Sequence, residues 1–364
     1  MGCKKPRGRQ TTTVETLITG SRKNSEVLIT RKGGVPSSRQ ESFGIDTATY
    51  AICPHNHIDE WSNHGMKIPE CADAYTEFNR AYRRNKLPLV PIITNHTEAD
   101  PNGAIKIEEL MKETREDIEV GVGVELNLRF MDRKFHVNVL FKDKSNIPYT
   151  PPEGVNPRQR RINIDELREL KENEDIVVIL NHPFWQAKTQ YIDQLYEIVM
   201  ALLNTGLIDG YEIINGAYLQ NFTKRKSHEK LLKMEVTNRL LKIIYTIKCY
   251  ADFTSQNPKT LLAAIGASDS HRGEYVGSSY TVFERISDNI VDDFFEAVEN
   301  GDTNAVVDDI KSSLIIIRCI KILNRKFQRI LNKCITTGEL DYQAFQRLAK
   351  ADKKPENPEK NKVK

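Results

Sequence analysis

Seven of the eight histidines fall in six short motifs of a kind that supplies metal ligands: His55-Asn56-His57, Asn63-His64-Gly65, Thr94-Asn95-His96, Phe135-His136-Val137, Asn181-His182-Pro183 and Ser268-Asp269-Ser270-His271. Imidazole is the commonest borrowed metal ligand, and a chain that spends nearly all its histidines at the ends of apolar runs is building one site. Asp269 and Glu125, the latter in Val122-Gly123-Val124-Glu125-Leu126, add carboxylates. Such a donor set points to a multinuclear metallohydrolase. Few carboxylates among neutral imidazoles keep the cluster cationic, which suits an anionic substrate, and histidine-rich ligation favours manganese, zinc or iron over magnesium or calcium. His228, in Lys226-Ser227-His228-Glu229-Lys230, matches no motif and reads as a surface residue.

These ligands need elements that bring them to one place. Strand-like runs over 49–53, 89–94, 120–128, 135–141, 176–180, 210–214 and 261–267 alternate with helix-like stretches over 69–86, 103–117, 164–171, 191–204 and 219–253. That alternation predicts βα units around a mostly parallel sheet. Four ligand motifs follow strand-like runs, and Glu125 and His136 lie inside two others. Ligands from six strands converge only if the strand ends form a ring, so a (β/α) barrel is expected in preference to an open sheet.

The rest of the chain reads as appendages. Residues 1–46 form an N-terminal extension with one short strand near Val27-Leu28-Ile29-Thr30, and the barrel spans 47–307. A Pro- and Arg-rich loop over 143–163 either gates the mouth and presents arginines to phosphate or is a solvated connection. A C-terminal helical region follows over 308–350. Within it, residues 314–334 form a basic amphipathic helix, with Ile316, Ile320, Leu323, Phe327 and Leu331 on one stripe and Lys321, Arg325 and Arg329 recurring every four residues. The last segment, 351–364, is expected to be a disordered basic tail.

The net charge of +3 excludes a strongly basic protein. Six cysteines without CxxC spacing predict reduced thiols, and no apolar run is long enough to span a bilayer: Leu314 to Ile317 has four residues and Ile198 to Leu203 six. The start carries no apolar segment of a secretory signal, and Pro6 occupies the place where a myristoylation motif wants Ser or Thr. A cytoplasmic protein with no membrane contact is expected.

The motifs, in this order, resemble those of the PHP (polymerase and histidinol phosphatase) family of metal-dependent phosphoesterases, over roughly 47–307. His55-Asn56-His57 resembles the opening H-x-H, and His64 before Gly65 the third ligand that follows it. Thr94-Asn95-His96 resembles Thr-Asp-His, with Asn95 in place of the acid. Asn181-His182-Pro183 stands where the family has Ala-His-Pro, and Gly266 to His271 resembles the closing Gly-Ser-Asp-x-His. The resemblance implies a distorted (β/α)7 TIM-like barrel of the PHP type with up to three divalent ions. His55, His57, Glu125 and Asp269 would make one site. Glu125 would bridge to a second with His136 and His182, and His64, His96 and His271 would bind the third. Asp269, Glu125 and His182 are then the expected catalytic residues, with a metal-bridging hydroxide as nucleophile.

Arg272, directly after the closing His, and Lys188, five residues after Pro183, are the expected phosphate contacts, with an ordinary surface role as the alternative. Glu212 is expected to orient a ligand histidine. Phe184 and Trp185 read either as core or as a base-stacking pair. The leading functional reading is phosphoester hydrolysis, by a phosphatase or an exonuclease-like enzyme, on a phosphorylated small molecule, a nucleotide or a nucleic-acid end. The basic helix 314–334 would contact nucleic acid, dock on the barrel, or join a partner protein or a homodimer. The alternative is a catalytically silent barrel serving as a scaffold or subunit of a nucleic-acid complex. An amidohydrolase-like barrel shares H-x-H but would want a metal-bridging lysine and leaves His64, His96 and His271 without a reason.

Overall fold

The computed structural model describes residues 26–29, 49–58, 65–82, 88–96, 98–112, 118–145, 147, 161–172, 175–216 and 229–308. His64, most of the Pro-rich loop, the amphipathic stretch 314–334 and the tail lie outside these residues. The strands are β1 (Glu26–Ile29), β2 (Thr49–Asn56), β3 (Leu89–Asn95), β4 (Gly121–Phe130), β5 (Arg133–Phe141), β6 (Ile176–Asn181), β7 (Gly210–Asn215), β8 (Ala263–Ala267), β9 (Ser279–Glu284) and β10 (Asn304–Asp308). The helices are α1 (Ile68–Tyr82), α2 (Pro101–Lys112), α3 (Ile164–Lys171), α4 (Ile192–Leu203), α5 (Glu229–Gln256) and α6 (Ile290–Glu299).

All ten strands join one sheet in the order β1-β10-β9-β2-β3-β4-β5-β6-β7-β8. It is mixed, not mostly parallel as the alternation predicts. Parallel pairs join β2 to β3 to β4 and β6 to β7 to β8, while β5 runs against both its neighbours and β9 runs against β2 and β10. The first reversal comes from a two-residue hairpin: Met131 and Asp132 have φ of 46° and 56°, the left-handed pair that matches strand twist in a tight β-turn. The second comes from β9, α6 and β10, which the sequence reading leaves unassigned.

The sheet curls until β8 returns beside β9, nearly closing a barrel. Side-chain hydroxyls join this seam in place of a strand ladder. Gly266 donates its N–H to Thr281 Oγ1 (3.0 Å), Thr281 Oγ1 donates to the Gly266 carbonyl (2.9 Å), and Thr303 Oγ1 donates to the Ala264 carbonyl (2.8 Å). Gly266 is required there, since a Cβ would sit 2.4 Å from the Tyr280 carbonyl oxygen. At the rim, His57 N–H bonds to the Ser270 carbonyl at 3.0 Å.

The uninterrupted apolar runs follow from burial on both sheet faces: every residue of β3 and β6 is buried. Helix α6 is set by its Asn289 cap, whose side chain accepts from the Val291 and Asp292 amides. It buries Ile290, Val291, Phe294, Phe295 and Val298, each contributing about 1.5–3 kcal/mol. Among the described residues no helix is long and apolar enough to cross a membrane. Cys53, Cys71 and Cys249 are buried free thiols.

Candidate metal centre

One rim of the sheet collects the candidate ligands because of where the strands end. His55 and His57 lie two apart at the end of β2, so strand alternation turns both to the same face. Between them Asn56 is pinned: its amide donates to the Cys53 and Ile92 carbonyls (2.8 and 3.1 Å), and its oxygen accepts from Tyr75 Oη (2.7 Å). The register of β2 against β3 shifts between Cys53 and Asn56, opposite Pro91, which has no N–H for the ladder. His96 follows β3, His182 follows β6, and Asp269 and His271 follow β8. Because β5 runs backwards, His136 near its start lies level with Asn127 of β4 and Asn181 of β6, on the same rim.

Two of these residues sit in backbone conformations that are costly without a reason. His182 and Asp269 have φ of 23° and 49°, and such strain of order 1–3 kcal/mol gathers at functional sites.

Glu125 stands at the centre, 2% exposed, with its two oxygens turned to different imidazoles. Oε1 lies 2.8 Å from His136 Nδ1, 3.3 Å from His182 Nε2 and 3.6 Å from His55 Nε2. Oε2 lies 2.6 Å from His96 Nδ1 and 3.7 Å from His57 Nε2. Asp269 Oδ1 is 3.3–3.5 Å from the ring nitrogens of His57, His55 and His271. Nε2 of His55 faces Nε2 of His57 at 3.1 Å.

Donors around one tetrahedral ion with bonds of about 2.0–2.1 Å lie about 3.3 Å apart, so these separations fit shared ions. The closest approaches lack hydrogen-bond alignment: Glu125 Oε2, His57 Nδ1 and both ring nitrogens of His136 are buried with no hydrogen bond. Buried polar atoms in that state call for an explanation, and a shared ion is one that fits these separations. Three groups each bring donors within 4.8 Å of one another: His55, Glu125 and His182; His55, His57 and Asp269; and His57, His96 and His271. These groups could hold divalent metal ions.

A surrounding layer sets ring orientation. Glu212 on β7 accepts from His55 Nδ1 (3.1 Å) through Oε1, and from the His182 amide (2.6 Å) and Asn215 Nδ2 (2.9 Å) through Oε2. A carboxylate only accepts, so the proton of His55 is held on Nδ1 and Nε2 is presented to the centre. Asn215 Nδ2 also reaches Asp269 Oδ2 (3.2 Å), and His271 Nδ1 donates to the Asp269 carbonyl (3.1 Å). Asn181 donates to Glu125 Oε1 (3.3 Å) and to Asn138 Oδ1 (2.6 Å), while Asn138 donates to the Pro54 carbonyl (3.1 Å). Asn95 accepts from the Ile58 amide at 2.9 Å, anchoring the turn after His57.

Electrostatics follow the crowding. Burial works against ionisation of every group. Even so, the imidazoles of His136, His96 and His55 hold Glu125 well below the usual carboxylate range, and those of His55, His57 and His182 do the same for Asp269. For His55, burial is outweighed by Asp269, Glu125 and Glu212, which push its pKa well up, whereas burial and the neighbouring His96 push His57 well down. The buried carboxylates therefore demand cations, as protonated imidazole or as metal ions.

The structure thus brings His55, His57, His96, Glu125, His136, His182, Asp269 and His271 together; His64 lies outside the described residues. His96 and His271 lie in one group with His57. His96 and His271 line the open side, about a third exposed at their side chains. Arg272 is exposed, 3.9 Å from Glu274, and Lys188 is exposed ahead of a short 3-10 turn at Thr189–Tyr191. Phe184 is core, fully buried against Tyr245, whereas Trp185 is half-buried beside His182. Sequence reasoning did not single out three further cations. Lys134 lies two residues before His136 on the same strand face, and Arg239 and Lys242 of α5 pack over Trp185.

A family model described as PHP-associated matches residues 259–303, the stretch from the approach to β8 through α6 that contains Asp269 and His271. No curated protein matches the chain. A solved structure described as PsfC from Pseudomonas syringae PB-5123 aligns over 76% of this chain and 100% of its own, with 14% identity and a TM-score of 0.40.

Proposed function

We propose that this chain is a metal-dependent phosphoesterase of the PHP type, acting on a nucleotide or a nucleic-acid end. The observation that carries the reading is Glu125, whose two oxygens face separate imidazole sets as a carboxylate bridging two ions would. The residues that would hold ions are His55, His57, Glu125, Asp269, His136 and His182, with His96, His271 and His64 for a third. The match to a PHP-associated model and the order of the motifs support the family.

Bound there, divalent ions lower the pKa of a water and neutralise charge on phosphoryl oxygens. The chain's own part is positioning. Glu212 holds His55 and the His182 backbone in place, Asn215 fixes one oxygen of Asp269, and Asn181 steadies Glu125. Three buried carboxylates, Glu125, Glu212 and Asp269, balance part of the metal charge: two divalent ions leave the cluster at +1 and three leave it at +3. Either suits a phosphate dianion. Asp269, kept ionised, would orient the attacking water, and the open side at His96 and His271 would admit the ester.

The test is to incubate manganese-reconstituted protein with 5′-phosphorylated single-stranded RNA and DNA and with small phosphate esters, beside Asp269→Asn. Shortened strands indicate nuclease action, and released phosphate indicates phosphatase action. Wild type that yields neither overturns the enzymatic reading and leaves a scaffold role.

A further inference from the structure

We infer that Ser268 is a positioning residue of the centre: it clamps the irregular end of β2 against the segment that carries Asp269, and so sets the spacing of the donors His55, His57 and Asp269. The inference rests on the reading of that group as a metal site. In both motifs, residues that face the centre alternate with residues that face away. His55, His57 and Asp269 turn to the centre, whereas Asn56, Ser268 and Ser270 meet on the far side, all fully buried.

Strand β2 loses its regular register against β3 between Cys53 and Asn56, the stretch that holds His55. An irregularity of this kind re-aims side chains and leaves the strand to be held by something other than the ladder. Ser268 holds both ends of it. Its amide donates to Cys53 Sγ (3.2 Å), its Oγ lies 3.0 Å from the same sulfur, and Oγ donates to Asn56 Oδ1 (3.3 Å). Ser270 Oγ donates to Ser268 Oγ at 2.6 Å, and the Ser270 carbonyl accepts the His57 amide. With Tyr75 Oη on Asn56 Oδ1 and Asn56 Nδ2 on two carbonyls, both lone pairs and both protons of that side chain are in use, which fixes its orientation.

A fully satisfied buried polar network specifies one arrangement where an apolar contact would permit several. Here that arrangement places Asp269 Oδ1 3.5 Å from His55 Nε2 and 3.3 Å from His57 Nε2, separations that fit donors sharing an ion. The strained backbone at Asp269 (φ 49°) lies between the two serines, and such strain persists only where flanking contacts over-determine it.

The experiment titrates cobalt(II), whose visible absorption reports both affinity and coordination geometry, into the metal-free full chain. Ser268→Ala should weaken cobalt binding about ten-fold, the lower end of the loss when support behind a ligand is removed, and should alter the absorption bands. Thr303→Val is the control: it deletes one hydroxyl bond at the same barrel seam, to the Ala264 carbonyl, about 13 Å of strand before Ser268. It should lower Tm as Ser268→Ala does and leave cobalt affinity and spectrum as in wild type. Should Ser268→Ala not fold, Tyr75→Phe, which removes the other donor to Asn56 Oδ1 and keeps the ring, should show the same weakening. Wild-type affinity and spectrum in the folded variant, or an equal loss in Thr303→Val, overturns the positioning role whatever the turnover. The expected cobalt response in a chain that hydrolyses no phosphate ester overturns the phosphoesterase reading alone.

Discussion

Glu212→Gln isolates the role of the residue that holds the candidate ligands His55 and His182 in place. The swap is isosteric, so packing is kept and only the hydrogen-bond pattern changes. Glu212 Oε2 accepts from two donors, the His182 amide and Asn215 Nδ2, and Oε1 accepts from one, His55 Nδ1. A glutamine keeps its oxygen where two donors wait and turns its NH2 toward His55. Two N–H groups cannot face each other, so His55 must shift its proton to Nε2, the atom offered to the centre. Disturbing such a partner costs about 10- to 100-fold in metal affinity, or about 1.4–2.7 kcal/mol. The fold should lose no more than the about 1.5–3 kcal/mol of one charged hydrogen bond. Competition against a fluorescent chelator gives the affinity and thermal unfolding of the metal-free protein gives the stability. Turnover should recover when metal is raised by the same 10- to 100-fold. If Glu212→Gln binds metal as tightly as wild type, the orientation of His55 by Glu212 is refuted.

Asp269→Asn should lower turnover by about a hundred-fold or more while the far-UV circular dichroism stays unchanged, because asparagine tolerates the left-handed backbone at φ 49°. Gly266→Ala forces a Cβ against the Tyr280 carbonyl at the barrel seam and should destabilise the chain by about 1–3 kcal/mol, read as a drop in Tm. Burial pushes the Cys249 thiol up to about 12, so about one in ten thousand is thiolate at pH 8. The Cys71 thiol is pushed up as well. Mass spectrometry should find both unalkylated by iodoacetamide until denaturant is added; rapid labelling of the folded protein contradicts the burial.

The ligand motifs are legible in the sequence because each sits at a place where burial changes abruptly. The run Ile176 to Leu180 is apolar throughout since both faces of β6 are covered, and His182 follows where the strand leaves the sheet. Glu212 is visible for the same reason, the single charge in a strand that is apolar up to its last residue, Asn215. The β4–β5 reversal is hidden because its turn residues, Met131 and Asp132, lack the glycine that announces such turns. Strand β9 and helix α6 did carry signals: the β-prone Tyr280 to Phe283, and the Asn289 cap ahead of apolar pairs at helical spacing. The cations over Trp185 are a different matter. Arg239 and Lys242 reach Trp185 across more than fifty residues, which only the packing of α5 reveals.

The claim that the imidazole cluster is a multinuclear metal centre bridged by Glu125 is tested most directly by counting ions. Plasma mass spectrometry of the reconstituted, desalted chain should give two to three divalent ions per molecule, and Glu125→Gln should lose at least one while remaining folded. A wild-type chain that retains none, or a Glu125→Gln variant with an undiminished count, contradicts the bridged centre.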